Sequence, residues 1–385
     1  MNPTYVLTLN AGVYWYTFAL LLVLSPLLPL IRSEFAVSYA GAGLLMTALE
    51  LCFSLSRFPS GLLSIRVGLK RVMVFGLLIS AVAAFSLSLV ESYPTLLVVL
   101  IVLGMALGIP PTIGVGMIAL AYPPEKRGRA QGVLQTGASA GVLSAYFIAG
   151  LLAEHYGWRL TYAVLGPVGL CLAVLFVVSL RQSAYGETSR AVRSRDVIRE
   201  VIRNKAIMGL FVPFILFHMT VTGTTSMIPL YMVGVHGIDV TTTAMLLLSI
   251  QVGGLCGALI WGILADKLGT LRVISILMLM MSLSIVLFFY SPFGYQTATL
   301  LFLWGFSAYP VFSVTWAHIS IVTDQILRTA SVGFFASTGM VIGSFGALIA
   351  GLITDVTGFA TTFHVLAAMV GAGSLMTAKV RKVRE

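Results

Sequence analysis

Apolar residues run in blocks of about 20 along nearly the whole chain, separated by short stretches where Gly, Pro and basic residues gather. A block of that length crosses a bilayer as a single helix. Twelve spans are predicted, at roughly 6–31, 39–64, 70–90, 94–121, 129–153, 159–180, 206–233, 241–264, 272–291, 296–322, 331–354 and 360–378. The blocks are continuous and do not alternate at period two, which favours helices over a barrel. Spans 3, 6, 9 and 12 are almost featureless, as in "VISILMLMMSLSIVLFFY", and read as lipid-facing scaffold. Four others carry polar residues at helical spacing: Asn10, Tyr14, Thr17 and Ser25; Thr47, Glu50, Ser54 and Arg57; Gln131, Gln135, Ser139 and Tyr146; His218, Thr222 and Thr225. Such stripes line one helix face. One stripe is ordinary interhelical hydrogen bonding, but four together predict a shared polar cavity.

Composition fits the pattern. The 385 residues are 58% hydrophobic and 9% charged, against about 25% charged in soluble domains. The net charge of +10 could suggest nucleic acid, but its placement says otherwise. All Lys and Arg except Arg32, Arg57 and Arg159 fall in 66–71, 126–129, 181–205, 267–272, 328 and 379–384. These are alternate connections plus the C-terminus. The positive-inside rule then predicts a multi-pass protein of the cytoplasmic (inner) membrane with both termini cytoplasmic. Cys52, Cys171 and Cys256 lack metal-ligand spacing and read as small apolar residues. The first apolar run has no preceding Lys or Arg and leads into a second span, so it reads as span 1 and not as a leader.

The chain repeats itself at an offset of 201 residues. "GLLSIRVGLKR" (61–71) is echoed by "GILADKLGTLR" (262–272), and "IAGLLAEHYGW" (148–158) by "IAGLITDVTGF" (349–359). Gly61, Gly68 and Arg71 match Gly262, Gly269 and Arg272, while Arg127 matches Arg328 and Glu50 falls opposite Gln251. Six spans per copy is even, so both copies enter the membrane the same way, as a parallel repeat. The expected fold is an all-α membrane protein of two six-helix bundles, 1–181 and 205–385, joined by a cytoplasmic linker at 182–204. Val192, Val197, Ile198, Val201 and Ile202 give that linker an amphipathic pattern, and its Arg residues predict contact with anionic membrane lipids.

These features resemble the major facilitator superfamily of secondary transporters. The family signature between spans 2 and 3 matches "GLLSIRVGLKR" except at Ile65, where an Asp is expected; the second copy keeps Asp266. "YPPEKRGRAQG" (122–132) and "YGWR" (156–159) resemble two further family loops. The resemblance implies two bundles rocking about one central site, with the motif loops latching the cytoplasmic side. Gly61, Arg66, Gly68 and Arg71, with Gly262, Asp266, Lys267, Gly269, Arg272 and Arg328, would form that gate. Asp266 could pair with Arg328 or accept from a helix N-terminus. Ile65 predicts an asymmetric gate, secured by charge at Asp266 and by apolar packing at Ile65.

Glu50 and Arg57 are fully charged residues well inside a span, two turns apart on one face and about 10.5 Å along it. A buried charge is costly in lipid and usually has a task. "RFPSG" (57–61) resembles the segment in which the superfamily's nitrate/nitrite porters and related carriers grip an anion. A second Arg on span 8 is missing, since Ala258 stands at the repeat position of Arg57. A single guanidinium fits a singly charged organic anion. Candidate substrate ligands are Arg57, Tyr14, Thr17, Gln135, His218 and Gln251, and Glu50 is the candidate for proton coupling. The expectation is a monomeric secondary transporter of a small carboxylate-like anion, with no cofactor or metal and no nucleic-acid partner. An exporter of hydrophobic or cationic compounds, with Glu50 as counter-ion, is a second reading. A non-transporting sensor or assembly protein is a third. No nucleophile–base set, metal cluster or phosphate loop points to an enzyme.

Overall fold

In a computed structural model of the chain, the described residues are 3–179, 201–323 and 328–380, and they are helices with short connections. The helices of the first repeat are α1 (Pro3–Leu22), α2 (Leu24–Glu34), α3 (Tyr39–Val67), α4 (Leu69–Leu87), α5 (Tyr93–Leu107), α6 (Ile109–Ala121), α7 (Pro124–Tyr156) and α8 (Trp158–Ser179). Those of the second are α9 (Lys205–Gly234), α10 (Val240–Leu268), α11 (Thr270–Tyr290), α12 (Tyr295–Val322), α13 (Arg328–Gly343) and α14 (Gly346–Lys379). Among the described residues eleven helical stretches are long and apolar enough to cross a membrane. The last, Ser331–Lys379, holds two of the twelve predicted spans, because α14 turns sharply at Gly358 with φ 83°.

Several predicted spans are interrupted for identifiable reasons. Pro26 cannot donate an amide to the preceding turn, and α1 gives way to α2 just before it. Pro110 and Pro111 similarly follow the junction of α5 and α6 at Gly108. The break between α13 and α14 has no proline. There Gly343 and Gly346 lie so close to α9 that a Cβ would run into His218 and the Met219 backbone.

The repeat is visible in the backbone. Gly68 and Gly269 both have positive φ, 94° and 88°, as do Gly157 and Gly358 at 81° and 83°. Each pair lies at the 201-residue offset. The left-handed region favours glycine at each of these sharp reversals.

The chain divides into two compact units. Unit 1 comprises Met1–Ala36, Ala48–Ser189 and His236–Ala244; unit 2 comprises Val37–Thr47, Arg190–Val235 and Met245–Glu385. In unit 1, α1 packs along α7 and α4 along α8. Gly137 and Gly141 of α7 lie against the backbones of Ala11 and Trp15, a small-residue crossing that lets the helices meet closely. In unit 2, α14 packs on α9 and α11. α11, one of the featureless spans, exposes Leu279, Leu283 and Leu287 along one face and buries Leu277, Met281 and Ile285 on the other.

Candidate functional site

Within unit 1, α1 and α3 carry the charged and polar candidates. Arg57 is half-buried on α3, with Cζ 5.7 Å from the centre of the Phe53 ring. It also lies within electrostatic range of Tyr14. Glu50 is half-buried two turns earlier. No ion pair between Glu50 and Arg57 is seen among the described residues. Glu50 makes no hydrogen bond there either. A carboxylate and a guanidinium thus share one face of α3 two turns apart.

Tyr14 is buried in an apolar cluster with Ile118, Ala130, Leu134 and Ala138, and its hydroxyl donates to the Pro111 carbonyl at 2.9 Å. Thr17 is fully buried, its hydroxyl without a hydrogen-bond partner. Asn10, one turn before Tyr14, donates from Nδ2 to the Val6 carbonyl at 2.8 Å and leaves Oδ1 buried and unpartnered. Gly114 makes room for both: a Cβ there would lie 2.9 Å from the Tyr14 ring and 3.1 Å from Asn10 Oδ1. Buried polar atoms without partners are uncommon, so Asn10 Oδ1 joins the candidates that sequence reasoning did not rank. Gln135 of α7 is exposed.

In unit 2, Gln251 is buried and donates to the Tyr309 hydroxyl at 2.6 Å. His218 is buried among aromatic rings, stacked on Phe214 at 6.2 Å and edge-on to Phe312 at 5.9 Å. Its neighbour in the stripe, Thr222, donates across to the Gly343 carbonyl at 3.0 Å, which is helix packing.

The motif residues sit at the C-terminal ends of α3 and α10 and at the starts of α4 and α11. Gly61 is within 3.5 Å of Thr112 by its would-be Cβ, while Gly262 faces open space. Arg66, Arg71, Lys267 and Arg272 are exposed. Asp266 is exposed and bonds to nothing among the described residues. The Arg328 side chain lies outside the described residues, and so does the predicted Asp266–Arg328 pair. Ile65 is 77% exposed, so the apolar packing expected of it is not made in this structure. The predicted linker at 182–204 lies outside the described residues up to residue 200.

Two arrangements escaped the sequence reading. Arg159 bridges Glu34 at 2.6 Å, lies 4.6 Å over the Trp158 ring, and Trp158 donates to Glu34 at 2.7 Å. The other is at the N-termini of α3 and α10. Asp355 accepts from the Tyr39 and Ala40 amides, each at 2.9 Å, and Glu154 accepts from the Thr241 amide at 3.0 Å. A signal existed, because the two acids stand opposite each other in the quoted repeat.

The family model of the Major Facilitator Superfamily matches residues 7–347. The hexuronate transporter of Bacillus subtilis (strain 168) is 24% identical over 86% of this chain and 83% of its own length. The probable L-galactonate transporter of Escherichia coli (strain K12) is 23% identical over 90% and 82%. The match to the uncharacterized MFS-type transporter YybF of Bacillus subtilis (strain 168), 28% identical, is partial: it covers 44% of this chain and 42% of that relative. Among solved structures, a bacterial homolog of the human lysosomal transporter Spinster superposes with a TM-score of 0.82 at 16% identity, covering 98% of this chain and 95% of that one. The nucleoside transporter NupG gives 0.84 at 12%, covering 98% and 100%. With its helical fold, its apolar spans and a family model matched over most of its length, this multi-pass membrane protein belongs to the Major Facilitator Superfamily of transporters.

Proposed function

We propose that this transporter moves a small organic anion, with Arg57 gripping its carboxylate and Glu50 carrying the proton that couples transport. The observation behind this reading is the pair itself: Arg57 and Glu50 lie on one face of α3, half-buried and not bridged to each other. The guanidinium fork suits a carboxylate. A carboxyl group that changes its access to water can take up and release a proton as it does so. Tyr14 and Thr17 lie on α1 nearby in sequence, and the free Oδ1 of Asn10 offers an acceptor for a substrate hydroxyl. Two relatives bear the names of sugar-acid transporters, which supports the carboxylate reading. Gln135, His218 and Gln251 are the remaining proposed contacts. The reading includes residence in the cytoplasmic membrane with both termini inside, a monomer, and two bundles, 1–181 and 205–385, that rock about the site.

The test is uptake in proteoliposomes, with labelled glucuronate and galactonate, an inorganic oxyanion and a lipophilic cation as probes. Arg57→Ala and Arg57→Lys are expected to abolish uptake of the organic anions, and Glu50→Gln to make it independent of an imposed pH gradient. Unchanged anion uptake in folded Arg57 variants, or uptake of the cation alone, overturns the reading.

A further inference from the structure

α3 and α10 are repeat equivalents, each carrying a gate motif at its C-terminal end. The first amides of such helices have no partners within the helix. In α3, Ser38 accepts from the Gly41 amide at 3.1 Å, and Asp355 of α14 takes the two amides before it, Tyr39 and Ala40. In α10, Asp239 accepts from the Thr242 amide at 2.6 Å, and Glu154 of α7 takes the Thr241 amide. Both local caps and both remote carboxylates correspond at the same 201-residue offset. In each case the remote carboxylate comes from the opposite repeat. The start of α3, Val37–Thr47, is accordingly part of unit 2, and the start of α10, His236–Ala244, is part of unit 1.

We propose that Glu154 and Asp355 are a matched pair of latches in the transport cycle, each clasping the first turn of a helix from the other repeat and releasing it when that end opens. Three features suit them to release. Both carboxylates are exposed, so water can replace the helix amides at little cost. The bond is charge-assisted and aligned with the helix dipole, which makes it directional while it lasts. Asp266, the motif carboxylate at the far end of α10, has no partner among the described residues while Glu154 and Asp355 are engaged. Carboxylates thus stand at both ends of α10, Glu154 engaged at its start and Asp266 without a partner among the described residues at its far end, whereas the far end of α3 carries Ile65. The Arg159–Glu34 clamp differs, because it joins residues of a single repeat and can persist throughout the cycle.

The experiment is double electron–electron resonance on the full chain in nanodiscs. Spin labels replace Glu91 and Thr361, both exposed, in a background whose three cysteines are alanine. Asp355→Ala is expected to raise the long-distance population roughly three- to tenfold. Asp355→Asn, which keeps one acceptor, is expected to raise it less, and Asp355→Glu to restore the parent distribution. Glu154→Ala is expected to act in the same direction and to add to Asp355→Ala. A second approach removes a donor and leaves the acid in place. Tyr39→Pro deletes one clasped N–H at a position where proline suits a helix start, and it is read against Tyr39→Val, which keeps the amide. Distributions for Asp355→Ala that superimpose on the parent, or a shift that Tyr39→Pro fails to reproduce, overturn the proposal. Distances need no substrate, so failure here is distinct from failure of the anion reading.

Discussion

The starts of α3 and α10 solve one problem twice, and the solutions differ in depth. At α3 the carboxylate clasp is only the outermost layer. Beneath it, the Tyr39 ring meets Phe359 edge-on at 4.9 Å, and Gly43 and Gly351 let α3 and α14 touch backbone to backbone. Below that, Thr47 donates to the Ser344 carbonyl at 2.9 Å and accepts from the Leu348 amide at 3.1 Å, splinting the break between α13 and α14. At α10 the clasp is reinforced by the Thr241 hydroxyl, which donates to the Gly150 carbonyl at 2.6 Å. The residues equivalent to Gly43 and Thr47 are Ala244 and Leu248, and α7 runs unbroken through the position equivalent to Ser344. A hydroxyl stands where a helix is interrupted, and an apolar residue where it is not. The comparison teaches that the first contact is built as a close, specific joint and the second as a shallower one.

The largest effect is expected at Gly43. A Cβ there runs into the Ala347 carbonyl, which is backbone and cannot swing aside. Gly43→Ala should therefore destabilise the protein by roughly 1–3 kcal/mol or more, the cost of overpacking. The mirror change, Ala244→Gly, loses one buried methyl and helix propensity, each about 1 kcal/mol at most. Thermal unfolding in detergent measures both. Equal losses would show that the two joints are packed alike and would break the comparison.

Thr47→Val comes next. It keeps the shape but leaves the buried Ser344 carbonyl and the half-buried Leu348 amide without the hydroxyl that pairs them. Leaving buried groups unpaired costs roughly 1–3 kcal/mol. Leu248→Thr should give no compensating gain, because α7 offers no broken turn to splint. If Thr47→Val unfolds at the parent temperature, the hydroxyl is not the splint that the geometry indicates.

The fold was legible in the sequence because lipid is an undemanding solvent to read: it requires long apolar runs and tolerates little else. The reversals at Gly68, Gly157, Gly269 and Gly358 were visible for a related reason, since a repeated glycine at a span boundary has a backbone cause. Side-chain partners were much less legible. Helical spacing placed Tyr14 and Thr222 on polar stripes, but the structure puts Tyr14 in an apolar cluster and uses Thr222 to join two helices. Periodicity fixes a face and leaves the neighbour open. Glu154 and Asp355 were overlooked because an acid at a water-facing helix end is unremarkable in composition. Only the crossing of segments between repeats supplies its partner.

The smallest expected effect separates the two local caps by charge. Ser38 is neutral, whereas Asp239 lies outside the spans and its carboxyl is held below the usual carboxylate range. The Thr242 backbone N–H is the main cause, with help from the Thr242 hydroxyl and the Glu154 side chain. A depressed value in the folded state means that Asp239 contributes stability above its ordinary pKa of about 3.9. That contribution is lost as pH falls through the lower, folded value. His236 on the same loop is also pushed down, by burial, so its protonation opposes folding over a higher range. His236→Gln removes that complication. In that background Asp239→Asn keeps an acceptor and loses only the charge. Its melting temperature should sit slightly below the parent's at neutral pH and meet it in acid. Because Asp239 is exposed, the gap should be small and should shrink with salt. Ser38→Asp should bring the same acid sensitivity to α3. A gap that stays constant from neutral pH into acid would mean that the α10 cap works by shape alone, and the charge difference between the two joints would then carry no energy.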